Sequence, residues 1–181
     1  YKRQPPNEGW RGHSDTETLL VAIERYGVGD TLVRCRGMFA FALWDRQERL
    51  LYLARDRMGE KPLYFGWQGP VFLFGSELKA LRAHPAFQAE IDRGALSDLL
   101  RLGYIPGPAS IYKGISKLPP GSFIAIGRHR PEPEPVRYWS VQDAAIKGQL
   151  SPYRGDEDEA LALLDQRLRD GPRAEEEVEV H

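Results

Sequence analysis

The side chain best placed to do chemistry in this sequence is the carboxylate of Asp15. It sits in Ser14-Asp-Thr-Glu17, just ahead of Leu19, Leu20, Ile23 and Tyr26. That spacing predicts a capping box opening an amphipathic helix, with Ser14 as cap, Glu17 reaching back and Gly27 as the stop. A carboxylate in a first helical turn meets the positive end of the helix dipole. Placed in a pocket, it is what the ammonium group of a ligand needs. The position is equally explained with no ligand, since acidic residues are common at helix starts, and on pattern alone that plainer reading stands first.

The other reactive types are weaker. Cys35, the single cysteine, lies between Arg34 and Arg36 at an expected helix end, with no His–Asn or His–Asp pattern beside it. It reads as an ordinary half-buried thiol and not as a nucleophile. His13, His84, His129 and His181 are scattered, and none has metal-ligand spacing to another His or to Cys35. Asp56, Arg57 and Lys61 read most simply as charges that pair to fix a loop, with a direct ligand contact as the alternative. Glu77 and Lys79 read as a helix start. The Gly-Pro clusters at 105–108 and 119–121 match neither of the glycine patterns that cradle phosphates.

These residues must be positioned by strands and short helices. Met38 to Asp45 holds seven apolar residues and one carboxylate, so it is expected to be a strand covered on both faces. Asp45-Arg-Gln-Glu-Arg49 is a polar hairpin turn into a second strand at 50–55. Further strands are expected at 62–67, 71–75 and 123–126, with Gln68-Gly69-Pro70 as a turn. Helices are expected at 14–27, 30–36, from Ser76 to Leu81 with His84-Pro85 as the stop, 91–102 closed by Gly103, and 157–169. Residues 104–121 are rich in Pro and Gly but punctuated by Ile111, Tyr112, Ile115 and Leu118, which reads as an ordered connector. Residues 128–135 read as an exposed loop, Tyr138-Trp139 as an anchor, and the acidic tail from Arg173 to His181 as a frayed end.

Composition excludes several classes of function. A length of 181 residues with 41% hydrophobic and 28% charged residues is ordinary for a globular chain. A net charge of -1 gives no basic field, so neither nucleic acid nor an anionic membrane is expected as a partner. No apolar run approaches the roughly 18 residues needed to cross a bilayer. A lone cysteine is compatible with a reducing cytoplasm.

Taken together, several segments carry a resemblance. Gly12-His-Ser-Asp-Thr-Glu-Thr-Leu-Leu20, Gly37-Met-Phe-Ala-Phe-Ala-Leu-Trp-Asp45, Ala54-Arg-Asp-Arg-Met-Gly-Glu-Lys-Pro-Leu-Tyr64, Phe74-Gly-Ser-Glu-Leu-Lys-Ala-Leu81, Gly103-Tyr-Ile-Pro-Gly-Pro-Ala-Ser-Ile-Tyr112 and Lys117-Leu-Pro-Pro-Gly121 follow one another in this order. In order and spacing the chain resembles glutamine-hydrolysing asparagine synthetase over about residues 10 to 170.

The resemblance implies an α+β chain with part of an N-terminal-nucleophile hydrolase fold: two stacked antiparallel sheets flanked by helices, followed by the start of a helical synthetase domain. It implies residues 1–140 as a partial class II glutamine amidotransferase domain and 141–181 as the lead-in to an ATP-dependent domain, in a chain truncated at both ends. In that family an amino-terminal Cys attacks the glutamine amide, its own α-amine serves as base, and an Asn-Gly pair stabilises the oxyanion. Ammonia then reaches an aspartate carboxylate activated by ATP and Mg. Of these parts, only the aspartate that holds the α-amino group of glutamine falls on a residue here, Asp15. The amino-terminal Cys, the carboxylate-gripping Arg, the Asn-Gly-Glu motif and the pyrophosphate loop find no match, and Cys35 does not match the nucleophile. The resemblance therefore implies no catalytic residue, metal or cofactor in this chain, glutamine, aspartate and ATP as partners of the parent enzyme, and a homodimer as one form of assembly. Three functional readings stay open: an asparagine synthetase fragment inactive by itself; another class II amidotransferase, such as a glucosamine-phosphate synthase, an amidophosphoribosyltransferase or a β-lactam synthetase; and a non-catalytic interaction module.

Overall fold

The computed structural model describes residues 14–128 and 131–170. Contacts divide the chain into two units, one made of residues 1–38 with 138–181 and the other of residues 39–137. The architecture is α+β, with two antiparallel sheets and helices.

In the first unit, helix α1 (Asp15–Arg34) opens as the capping pattern predicts: Ser14 is extended and its hydroxyl accepts from the Glu17 N–H at 3.2 Å. Gly27 (φ 78, ψ 167) breaks the helix in its middle, so two helical stretches form where two were expected. The Thr31 hydroxyl donates to Gly27 O at 2.7 Å across that break. Helices α4 (Val141–Leu150) and α5 (Glu157–Asp170) complete this unit. The expected final helix is α5, whose Leu161, Leu164 and Leu168 are all exposed. Helix α4 was not expected, since it has no buried residue and hence no apolar periodicity; the Ser140 hydroxyl caps it by accepting from Asp143 N–H at 3.0 Å.

The second unit holds both sheets. Strands β1 (Ala40–Asp45), β2 (Leu50–Arg55), β6 (Ser122–Gly127) and β7 (Val136–Arg137) form one, in the order β1-β2-β6-β7. Strands β3 (Tyr64–Gln68), β4 (Val71–Gly75) and β5 (Ser116–Lys117) form the other, in the order β4-β3-β5. The β1–β2 hairpin closes at Asp45↔Leu50, and the Asp45 carboxylate accepts from Gln47 and Glu48 N–H at 2.8 and 3.0 Å. The sheets meet through one apolar cluster: Leu53, Ile124 and Ile126 from the first, Phe65 from the second, with Leu63 and Leu118 between them. A smaller cluster joins Leu73 and Ile115 to Leu81 of helix α2 (Leu78–Arg82).

One expectation about this sheet needs correcting. Strand β1 is not covered on both faces: Ala42 is exposed and Trp44 is 54% exposed, while Phe41 and Leu43 are half-buried. The reason is position. Among the described residues β1 is an edge strand with β2 as its neighbour, and the three strands of the other sheet lie over β2 and β6 residues.

Helix α3 (Arg93–Leu102) begins two residues later than its apolar pattern suggests. Ile91 is drawn into a bridge with Tyr112, and the Asp92 carboxylate caps the helix by accepting from Gly94 and Ala95 N–H at 2.8 and 3.0 Å. Gly103 (φ 77) closes it as expected. Asp92→Ala should therefore lower stability by about 1 kcal/mol, while Asp92→Asn, which keeps an acceptor oxygen, should cost a few tenths. The check is the urea midpoint at unchanged slope.

Candidate functional site

Asp15 stands where the sequence places it, in the first turn of α1, one residue after the Ser14 cap, and its side chain is exposed. The helix start thus presents a carboxylate and the uncapped ends of the first-turn amides to the surface. Cys35 is the C-terminal cap of the same helix: it is buried at 4% exposure, and its N–H donates to Thr31 O at 3.0 Å. A buried thiol at the carbonyl end of a helix lacks the electropositive, accessible setting that makes a thiolate nucleophile. His84 is used locally, its Nδ1 accepting from Ala86 N–H at 3.1 Å. His13, His129, His181 and the acidic tail lie outside the described residues.

The polar loop after β2 is built differently from the charge pairing its sequence suggests. Asp56 is 1% exposed, and its two carboxylate oxygens accept from the backbone N–H groups of Glu60 and Lys61, each at 3.0 Å. Its own N–H donates to Phe39 O at 2.9 Å, and its carbonyl accepts from Gly59 and Gly121 N–H at 3.1 and 2.8 Å. Asp56 therefore closes the turn 56–61 and ties it to two distant segments through backbone groups. The Lys61 side chain takes no part in holding it.

Beside it, the Arg55 guanidinium donates to three carbonyls: Lys61 O at 2.8 Å, Leu118 O at 2.6 Å and Gly59 O. Burial pushes the Arg55 guanidinium down from its usual range, with Asp56 and Tyr64 opposing. Lys117 lies next along the chain from Leu118, and its ammonium donates to Ile105 O at 2.5 Å. Burial, and then the Arg55 charge, lower the Lys117 ammonium below the usual lysine range. Two cations facing carbonyls was not legible in the sequence. Arg55 and Lys117 are far apart in the chain, and only the pairing of β3 with both β4 and β5 brings their strands into one layer.

The structure thus places Asp15 in the first unit and Asp56, Lys61, Glu77 and Lys79 in the second. Glu77 precedes α2 and is salt-bridged to Lys79 at 2.6 Å, both exposed. Among the described residues no three His, Cys, Asp or Glu side chains converge as metal ligands would, and no helix is long and apolar enough to cross a membrane.

Comparison with known proteins covers most of the chain. Residues 2–139 match the family model of the glutamine amidotransferase domain. The chain is 40% identical over 138 residues to asparagine synthetase [glutamine-hydrolyzing] 3 of Bacillus subtilis, covering 73% of this chain and 22% of that protein. It is 34% identical over 132 residues to a putative asparagine synthetase [glutamine-hydrolyzing] 2 of Methanocaldococcus jannaschii, covering 72% of this chain and 25% of that protein. It is also 31% identical over 131 residues to the amidase chyE of Penicillium rubens, covering 72% of this chain and 19% of that protein. The chain thus spans a quarter or less of the length of these relatives. With more than half of its residues inside the family model and its similarity running to asparagine synthetases, the chain belongs to the glutamine amidotransferase domain family, of the kind that asparagine synthetases carry.

Proposed function

We propose that this chain is part of a glutamine-hydrolysing asparagine synthetase: residues 1–140 belong to its glutaminase domain, of the N-terminal-nucleophile hydrolase fold, and residues 141–181 lead into its ATP-dependent domain. In the cytoplasm the whole enzyme would release ammonia from glutamine and use it to amidate aspartate at the cost of ATP. The observation that carries this reading is the family match over residues 2–139, together with relatives whose names are asparagine synthetase. Within it, Asp15 holds the α-ammonium of glutamine. Its carboxylate stands exposed at the positive end of α1, where an ion pair to a ligand costs no rearrangement of the core. The described residues offer no ligand set for Mg, and the role assigned to this chain's own residues runs through neither Mg nor ATP.

The 181-residue chain by itself should hydrolyse no glutamine, because its one thiol is the buried Cys35. Glutamate release above the buffer rate from the purified chain would contradict this. Asp15 is tested in a protein that carries this domain behind an amino-terminal cysteine. Asp15→Asn should raise KM for glutamine about a hundredfold, the loss of roughly 3 kcal/mol from a paired charge. Synthesis from ammonia supplied directly should be unaffected. An unchanged KM would remove Asp15 from the glutamine site, and a parallel loss of ammonia-dependent activity would mean that the substitution damages the fold.

A second reading keeps the glutaminase and changes the acceptor. It is favoured by the similarity to the amidase chyE, whose name is not that of an asparagine synthetase. Product analysis of the whole enzyme with glutamine and ATP, with and without aspartate, separates the two: asparagine formed only when aspartate is present supports the first.

A further inference from the structure

We propose that Lys117 is a modification site, the amine of this chain that reacts most readily with a small activated acyl group such as an acyl phosphate or thioester. Nothing in the glutaminase chemistry uses this residue, and the inference does not depend on it.

The argument is one of surroundings. Lys117 is half-buried on β5, and its ammonium donates to Ile105 O. Its backbone N–H donates to Pro108 O at 2.7 Å, so residue and connector are held together at two points. The charged and titratable groups around it are Arg55, which reaches the adjacent Leu118 O, Asp56 next to Arg55, and Tyr64, its cross-strand partner on β3. No carboxylate of the described residues pairs with its ammonium. Lys79 and Lys113 stand in the opposite setting, each exposed and salt-bridged, to Glu77 and Glu90. Burial and a neighbouring cation both favour the uncharged amine, whereas a carboxylate partner holds the ammonium. Accordingly the Lys117 amine is lowered while those of Lys79 and Lys113 are raised. Only the uncharged amine attacks. Its lone pair forms the C–N bond at the acyl carbon, the bond from that carbon to the leaving oxygen or sulfur breaks, the leaving group departs as its anion, and the surplus proton on nitrogen passes to water. The product is a neutral amide at the clasp between β5 and the connector.

The test is limited labelling of the 181-residue chain with N-hydroxysuccinimidyl acetate at about pH 7.5, with site occupancy read by peptide mass spectrometry. Lys117 should acetylate several-fold faster than Lys79 and Lys113. A rate equal to theirs or slower overturns the proposal. Near pH 10.5, where ordinary lysines are about half deprotonated, the advantage should narrow. An advantage undiminished there would mean that access and not the uncharged fraction is its cause, and would also overturn it. In guanidinium chloride the three lysines should label alike, and a preference that survives unfolding would assign the effect to local sequence and sink the proposal.

Discussion

Asp56→Ala is expected to destabilise the domain by about 3 kcal/mol and to lower its melting temperature by roughly 10 °C. The carboxylate is buried, and it satisfies two amides, those of Glu60 and Lys61, that have no other acceptor within reach once it is removed. Each orphaned amide in a closed turn costs about 1–3 kcal/mol, and the bonds lost are charge-assisted. Asp56→Asn keeps one acceptor oxygen and turns an NH2 toward the second amide, so its cost should fall between wild type and Ala. Lys61→Met is the informative contrast. If the loop were fixed by charge pairing, this change would cost as much as a broken ion pair. In the structure only the Lys61 backbone is engaged, its N–H by Asp56 and its O by Arg55, so the change should stay within about 0.5 kcal/mol of wild type. Thermal unfolding of the three variants decides between the two accounts, and faster hydrogen exchange at the Glu60 and Lys61 amides in Asp56→Ala would locate the damage.

What was legible in the sequence was whatever chain neighbours decide among themselves. Ser14 three residues before Glu17 was enough to start α1, and Gly27 enough to break it, because cap and breaker act within one turn. The Asp45–Arg49 turn was legible for the same reason, its carboxylate binding amides two and three residues on. Strands β5 and β7 were hidden. Each is two residues long and exists only because a distant strand, β3 or β6, offers a ladder to join. Burial was misread at β1, where an all-apolar run suggested two covered faces. The run records what the side chains are, whereas coverage depends on the neighbours, and as an edge strand it leaves Trp44 open. Asp56 was misread by a related route: a sequence displays side-chain charges, so its partners were sought among Arg57 and Lys61 side chains, whereas the groups it holds are backbone N–H groups, which every residue but proline carries. The candidate site follows the same division. The position of Asp15 was local and came through; the pairing of Arg55 with Lys117 is tertiary and did not.

Gly66→Ala should be the most damaging single substitution in the second unit, costing more than about 4 kcal/mol or leaving the chain unfolded. Gly66 lies in the middle of β3, paired with Leu73 on β4, and on its other side the chain at Gly114 and Ile115 passes against it. A Cβ at this position would stand 1.8 Å from Gly114 O, 2.8 Å from Gly114 C and 3.0 Å from Ile115 Cα. All three are backbone atoms, so no rotamer change can relieve the overlap, and β3 or the 114–115 segment must move bodily. Neither is free to do so. Phe65 and Ile115 flank the contact from the two apolar clusters, and Gln68 clamps the same segment by donating to Lys113 O at 3.1 Å while accepting from Gln88 N–H at 2.8 Å. Gly27→Ala is the control for a glycine of the other kind. A Cβ there meets nothing within 4 Å, so only the strain of φ 78 is felt, and the cost should stay near 1–2 kcal/mol. Circular dichroism and a urea titration of the two variants test the ordering. A Gly66→Ala chain as stable as Gly27→Ala would mean that β3 and the 114–115 segment do not approach as closely as described, and the packing of the three-stranded sheet would have to be redrawn.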